Sequence, residues 1–271
     1  MTKKSVNRYE IVFSDVDGTL LNSGHKITPL TLEAIKSLEN KNISFVIVSA
    51  RSPSGIYPIL DEYKITCPII CYSGALILDK NRRMLFHRGI EKQNAKHIVE
   101  YVENSFFDLT YCLYSLDQWI VKDKVDPRIR NEEYIVKAQA EQGDIDSVKD
   151  TQINKILCIC NPVETLLIEK KLKKEFPDYS IVKSSEMLLE IMEKGINKAA
   201  AMKTVCGLWD VDIKNTLAFG DNYNDVEMLL AAGKGYLMAN APEQLKKQIN
   251  NITADNDHDG IYEGLVQLHV I

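Results

Sequence analysis

The stretch YEIVFSDVDGTLL, residues 9–21, decides the fold. Residues 9–14 form a short apolar run, the pattern of a strand buried on both faces. The run then stops, and two carboxylates, Asp15 and Asp17, arrive one residue apart, with Gly18 behind them. A buried strand that ends this way delivers its acids to the C-terminal edge of a sheet, where open α/β folds keep their ligand sites. Like charges so close repel and raise a pKa unless a cation lies between them. Mg2+, which takes oxygen ligands, would resolve the conflict. Asp and Gly are also ordinary turn residues, so the string alone fits a surface turn as well.

The segments that follow extend the pattern. Thr28 and Pro29 make a helix start, a cap followed by proline at the first helical position. Leu32, Ile35 and Leu38 then recur at helical spacing. Residues 43–48 (ISFVIV) read as a second buried strand and 68–72 as a third. Between them Ser52 and Pro53 open a helix that Pro58 is expected to kink or delay. This alternation implies a Rossmann-like parallel sheet with helices on both faces. After Gly74 the rhythm changes. Residues 75–78 and 84–87 read as a hairpin, 109–115 and 119–122 as paired strands, and 95–102 and 163–174 as helices. Residues 153–160, 179–184 and 188–192 read as further strands. Strands in adjacent pairs mark a separate α+β unit at 86–190. The parallel rhythm returns with an Ala-rich helix at 198–205 and a strand at 216–219. A short helix at 225–232 closed by Gly233, a strand at 236–239 and a helix at 242–249 complete it. One α/β core, 1–85 and 191–271, is therefore expected to be split around an inserted unit.

Bulk properties narrow the function. The chain has 271 residues, 45% hydrophobic and 26% charged, which are globular values. Its net charge of -5 and the absence of a basic stripe argue against nucleic acid as a partner. No run approaches the ~20 apolar residues of a membrane helix. Six cysteines occur without CxxC or zinc-type spacing, which suits reduced thiols in a cytoplasmic protein.

Three more strand ends carry chemistry. Ser49 and Ala50 follow the 43–48 strand, and a hydroxyl with a backbone N–H there can hold a phosphoryl oxygen. Lys194 and Lys198 flank the start of the Ala-rich helix. Cations belong at helix C-termini, so one of these lysines is expected to face an anion. GDNYND, residues 220–225, places Asp221, Asn224 and Asp225 after the 216–219 strand. An acidic pair, a hydroxyl, a cation and a second acidic group at four strand ends describe a site for phosphoryl transfer.

In these four motifs, and in their order, the chain resembles the haloacid dehalogenase superfamily, and within it the Cof-like, class IIB phosphatases. DVDGTLL at 15–21 is similar to the first motif, Ser49 to the second, Lys198 to the third and GDNYND to the fourth. The tail DHDGI at 257–261 is similar to a family stretch near the C-terminus. The resemblance implies that Asp15 is the nucleophile and Asp17 the general acid and base. It implies Mg2+ among Asp15, Asp17, Asp221 and Asp225, and a phosphoryl group held by Ser49, Ala50, Lys198 and Asn224. It also implies that the insertion is an α/β cap and that the substrate is a small phosphorylated metabolite, chiefly a sugar phosphate. Ser73 stands where many members have Asn, and Ser49-Ala50 where Thr-Gly is commoner. Two other readings of the same motifs are a phosphomutase or phosphotransferase and a receiver-like module phosphorylated on Asp.

Overall fold

A computed structural model of the protein describes residues 9–136 and 138–271. The chain begins with β1 (Ile11–Ser14), α1 (Pro29–Asn40), β2 (Ser44–Val48), α2 (Pro53–Tyr63), β3 (Ile69–Cys71), β4 (Leu76–Leu78) and β5 (Met84–His87). It continues with β6 (Ile90–Glu91), α3 (Lys92–Asn104), β7 (Leu109–Ser115), β8 (Gln118–Val121), α4 (Pro127–Val136), β9 (Glu141–Gln142), β10 (Gln152–Ile153), β11 (Lys155–Cys160), α5 (Thr165–Glu175), β12 (Tyr179–Lys183) and β13 (Leu188–Glu193). It ends with α6 (Lys198–Leu208), β14 (Thr216–Gly220), α7 (Val226–Ala231), β15 (Lys234–Leu237), α8 (Glu243–Lys246) and α9 (Gly260–Gln267). The chain forms two compact units. The first comprises the described residues up to Ala50 with Leu60–Leu85 and Asn197–Ile271; the second comprises Arg51–Ile59 and Phe86–Ile196.

The first unit holds a sheet in the order β15-β14-β1-β2-β3-β4-β5. The run from β15 to β3 is parallel, and β4 returns antiparallel to β3. Every residue of β1 is buried, as its apolar run requires. Ser14 lies beside Ile47 of β2 and Phe219 of β14. Asp15, Ser49 and Asp221, each one or two residues further on, therefore leave three neighbouring strands at one edge. Helix α1 starts as read: Thr28 accepts from the Thr31 N–H and Pro29 follows. Its buried stripe is Thr31, Ala34, Ile35 and Leu38, with Leu32 half-buried at the margin. Burying a side chain such as Ile35 or Leu38 is worth about 1.5–3 kcal/mol, so this face anchors α1.

The second unit is a sheet in the order β12-β13-β11-β7-β8-β9, antiparallel except for β8 with β9. Ile98 and Val102 of α3 and Ile168 and Leu172 of α5 share a buried cluster with Leu113, Ile156, Cys158 and Ile191 on one sheet face. Alternation along β7 and β11 puts only every second residue there, as a pleat dictates.

Three expectations need correction. Residues 153–160 are not one strand: Ile153 pairs with Ile90 and Lys155 with Tyr114, and buried Asn154 turns the chain between the two ladders. Its N–H still donates to the Tyr114 carbonyl at 2.8 Å, and its Oδ1 accepts from the Leu116 N–H at 2.7 Å, which ties the bend to the end of β7. Of the two effects expected of Pro58, the delay does not occur: α2 begins at Pro53, where Ser52-Pro53 set it, and Pro58 lies inside it. Gly233 follows the Ala232 cap of α7, as read, and a Cβ there would collide with the Lys214 carbonyl. The helix read at 242–249 is only four residues long, whereas α9 closes the chain unread. The six cysteines are buried and unbridged. No helix among the described residues is long and apolar enough to cross a membrane.

Candidate active site

The site lies in the first unit and begins at the end of β1. Asp15 is buried, and its N–H still donates to the Phe219 carbonyl at 3.0 Å, so the carboxylate is held by continued sheet bonding. Helix α6 brings Lys198. Asn197 caps that helix, accepting from the Ala200 N–H at 2.7 Å, so Lys198 falls at the first helical position. A cation there opposes the helix dipole unless anions face it. Two do: the buried ammonium donates to Asp15 Oδ1 and, at 2.6 Å, to Asp225 Oδ1. Lys194, the other lysine considered, is exposed and donates to the Pro177 carbonyl at 3.5 Å.

The loop after β14 is organised by Asp225. Its Oδ2 accepts from the Asp221 N–H at 3.0 Å and the Asn222 N–H at 2.9 Å. Asp225 thus holds both Lys198 and the backbone that presents Asp221. Asp221 Oδ1 accepts from Thr19 at 2.8 Å. Gly18 has φ 79° and packs so closely on Asp221 that a Cβ would collide with its carboxylate. Thr19 was not singled out in the sequence, although it stands inside the first motif. Asn240 and Asn256 were also missed: Asn240 donates to the Gly18 carbonyl at 2.8 Å and Asn256 to the Leu21 carbonyl at 2.9 Å. Asp257 accepts from both the N–H and the hydroxyl of Ser23, so the C-terminal DHDG stretch braces the loop that follows the first motif.

Asp15, Asp221 and Asp225 offer carboxylate oxygens that all lie within 4.8 Å of one another. Burial pushes the Asp15 carboxyl up to about 8; Lys198 works against this, while Asp225 and Asp221 add to it. Burial likewise pushes Asp221 up to about 6, against its hydrogen bond from Thr19. Burial disfavours the Lys198 ammonium, but Asp15 and Asp225 outweigh it and hold its pKa above the usual lysine range. Three carboxylates with one ammonium leave negative charge in a poorly hydrated place. An all-oxygen donor set with that excess fits a hard divalent cation such as Mg2+ and has no His or Cys to favour zinc.

The other residues expected at the site, Asp17, Asn224, Ser49 and Ala50, are placed as follows. Asp17 is exposed and Asn224 is exposed on the β14–α7 loop. Ser49 is buried, its N–H donating to Ile70 and its carbonyl accepting from Ser73, each at 2.8 Å; Ala50 follows, half-buried. In the second unit, Tyr111 belongs to the apolar cluster and donates to Glu103 at 2.5 Å. Trp119 is buried and stacked on Tyr114.

Known proteins match this arrangement along nearly its whole length. The model of the haloacid dehalogenase-like hydrolases matches residues 12–265. A candidate phosphatase of Haemophilus influenzae is 35% identical over 254 residues, covering 93% of this chain and 95% of that protein. A haloacid dehalogenase-like hydrolase of Bacteroides thetaiotaomicron superposes with a TM-score of 0.87 at 24% identity, covering 96% of this chain and 99% of that one. A structure described as a sugar phosphatase of HAD subclass IIB superposes with a TM-score of 0.82 at 21% identity, covering 97% of this chain and 100% of that one. The match from residue 12 to residue 265 takes in all four motifs and the acidic site they build, and the chain belongs to the haloacid dehalogenase-like hydrolases.

Proposed function

We propose that the protein is a Mg2+-dependent phosphatase of small phosphomonoesters, chiefly sugar phosphates, working through an aspartyl-phosphate on Asp15. The observation that carries the reading is the buried Asp15–Lys198–Asp225 set beside Asp221. A carboxylate at a strand end, with a lysine fixed against it, suits in-line attack on a phosphoryl group whose charge needs neutralising. An Asp15 oxygen forms a bond to phosphorus as the bond to the leaving alcohol breaks. Asp17 gives that alcohol a proton, then takes one from the water that attacks phosphorus and frees Asp15. Ser49, the Ala50 N–H, Lys198 and Asn224 hold the non-bridging oxygens. Asp15 and Asp221, with the Asp17 backbone carbonyl, would hold Mg2+, which supplies charge neutralisation at the phosphoryl oxygens. Asp225, with both oxygens engaged, would act beside the ion, keeping Lys198 and the Asp221 amide in place.

Residues 86–190 are assigned as the cap, and 1–85 with 191–271 as the core. The family match and the phosphatase names of relatives such as the Haemophilus protein support phosphate-ester hydrolysis. The sugar-phosphate preference draws on the subclass IIB neighbour and on the acidic net charge, which disfavours long polyanions. The test is a panel of hexose phosphates, pentose phosphates, nucleotides and a phosphopeptide, each with Mg2+ and with EDTA. Hydrolysis of several sugar phosphates, abolished by EDTA and restored by Mg2+, is expected. Hydrolysis of the phosphopeptide alone, or full activity in stripped protein, would overturn the reading.

A further inference from the structure

Between β3 and β4 the chain does something unfavourable. Tyr72, Ser73 and Gly74 take φ values of 51°, 54° and 124° in succession. Left-handed backbone crowds Cβ against the carbonyl, and a bulky residue there is an outlier. The hairpin by itself does not ask for this sequence: four residues, Tyr72–Ala75, join Cys71 to Leu76, and Gly or Asn fills a left-handed position at less cost than Tyr or Ser. Instead a fully buried tyrosine and a buried serine are held there.

What the turn touches accounts for the choice. On one side the Ser73 N–H donates to the Ser49 carbonyl at 2.8 Å, while the Ser49 N–H is already tied to Ile70. Ser49 is thus fixed at both its amide and its carbonyl. On the other side Gly74 lies flat against the first turn of α6. A Cβ on Gly74 would sit 2.8 Å from the Asn197 carbonyl and 2.9 Å from Ala201 Cβ. Asn197 is the cap of α6, and the next residue is Lys198. A single three-residue turn therefore touches the backbone of Ser49 and the helix start that carries Lys198. These two residues come from distant parts of the sequence, and the β-ladder does not join them directly.

We propose that Tyr72, Ser73 and Gly74 form a positioning clamp that sets the spacing between Ser49 and Lys198. Resting on the phosphatase reading, the clamp fixes the two groups that hold the phosphoryl oxygens, without touching substrate itself. Tyr72 anchors it by burial, Ser73 holds Ser49, and Gly74 admits α6 to the distance Lys198 needs to reach Asp15. Asparagine tolerates left-handed backbone well, so Ser73→Asn preserves the clamp. A β-branched residue does not, so Ser73→Val breaks it.

The test compares Gly74→Ala, Ser73→Val and Ser73→Asn with Gly233→Ala. The last makes a backbone collision of the same kind with Lys214 and leaves the clamp alone. Each protein is assayed for kcat and KM with para-nitrophenyl phosphate and for affinity toward inorganic phosphate by calorimetry, both per folded molecule. A sub-ångström to 1 Å misplacement of binding groups costs up to about 10²-fold in rate, so Gly74→Ala and Ser73→Val should lose about 10- to 100-fold in kcat. Phosphate binding should weaken in parallel, while Ser73→Asn stays within about threefold and Gly233→Ala loses only thermal stability. Equal losses in Gly74→Ala and Gly233→Ala per folded molecule would overturn the clamp, as would unchanged kcat in folded Gly74→Ala. If Gly74→Ala does not fold, the contrast between Ser73→Val and Ser73→Asn decides in the same way. A wild-type protein that binds phosphate but hydrolyses no ester would sink the phosphatase reading instead. The calorimetric comparison would still judge the clamp.

Discussion

Lys198 keeps its charge at 1% exposure only because Asp15 and Asp225 face it. Removing one partner of a buried ionic set leaves the others uncompensated, which typically costs about 3–5 kcal/mol. Lys198→Met should therefore destabilise the metal-free protein by about that much in urea unfolding and stop turnover. Mg2+ should recover part of the stability, since a cation relieves the same carboxylates, but not the activity. A loss of stability too small to resolve would show that Lys198 is not the counter-charge of this site. At this scale much was legible from the sequence. Asp15, Asp221 and Asp225 follow apolar runs, so their strand ends could be read directly. The dipole argument pointed to a lysine facing an anion but left Lys194 and Lys198 open. The family resemblance chose Lys198, and the cap at Asn197, which places Lys198 first in the helix, gives that choice its physical reason. Thr19, Asn240 and Asn256 were not legible, because their partners are backbone carbonyls and a carboxylate distant in sequence.

Among the elements, α6 is the one whose start must be in place, because its first residue carries the ammonium. Asn197→Ala removes the side-chain acceptor for the Ala200 N–H, and such a cap is worth about 1 kcal/mol. For a protein of this size that corresponds to a fall in Tm of about 2–4 °C. Fraying at the first turn should also lower kcat more than it raises KM. Unchanged kcat together with the lowered Tm would mean that Lys198 is held by its carboxylates alone. The parallel strands were readable because each is a short buried run followed by a change of residue type. The break between β10 and β11 was not, because Asn154 and Lys155 carry no turn signal before the apolar run 156–160, and the role of Asn154 emerges only when Ile90 and Tyr114 claim different halves. Helix α9 escaped for a related reason: it buries only Gly260, Ile261, Gly264 and Leu265, too short a stripe to show a period.

For the molecule as a whole, the acidic site links stability, metal and pH. The metal-free folded protein has Asp15 raised to about 8 and Asp221 to about 6. A carboxyl raised on folding favours the folded state at low pH, and that contribution is lost as pH rises through the folded value. Stripped protein should therefore lose thermal stability between about pH 5 and pH 8.5 relative to protein with Mg2+. The gain in Tm on adding Mg2+ should be larger at pH 8 than at pH 5.5, because binding requires the ionised carboxylates. A gain that shrinks as pH rises would contradict the assignment of the acidic group to a cation. The central claim, that Asp15 carries the phosphoryl group during turnover, can be measured directly. Asp17→Asn protein with Mg2+ and a 32P-labelled sugar phosphate, quenched in acid and digested, should yield label on the peptide containing Asp15. The label should be released by hydroxylamine, as an acyl phosphate is, and be absent from the Asp15→Asn variant. Label on another residue, or steady hydrolysis by Asp15→Asn, would contradict the account.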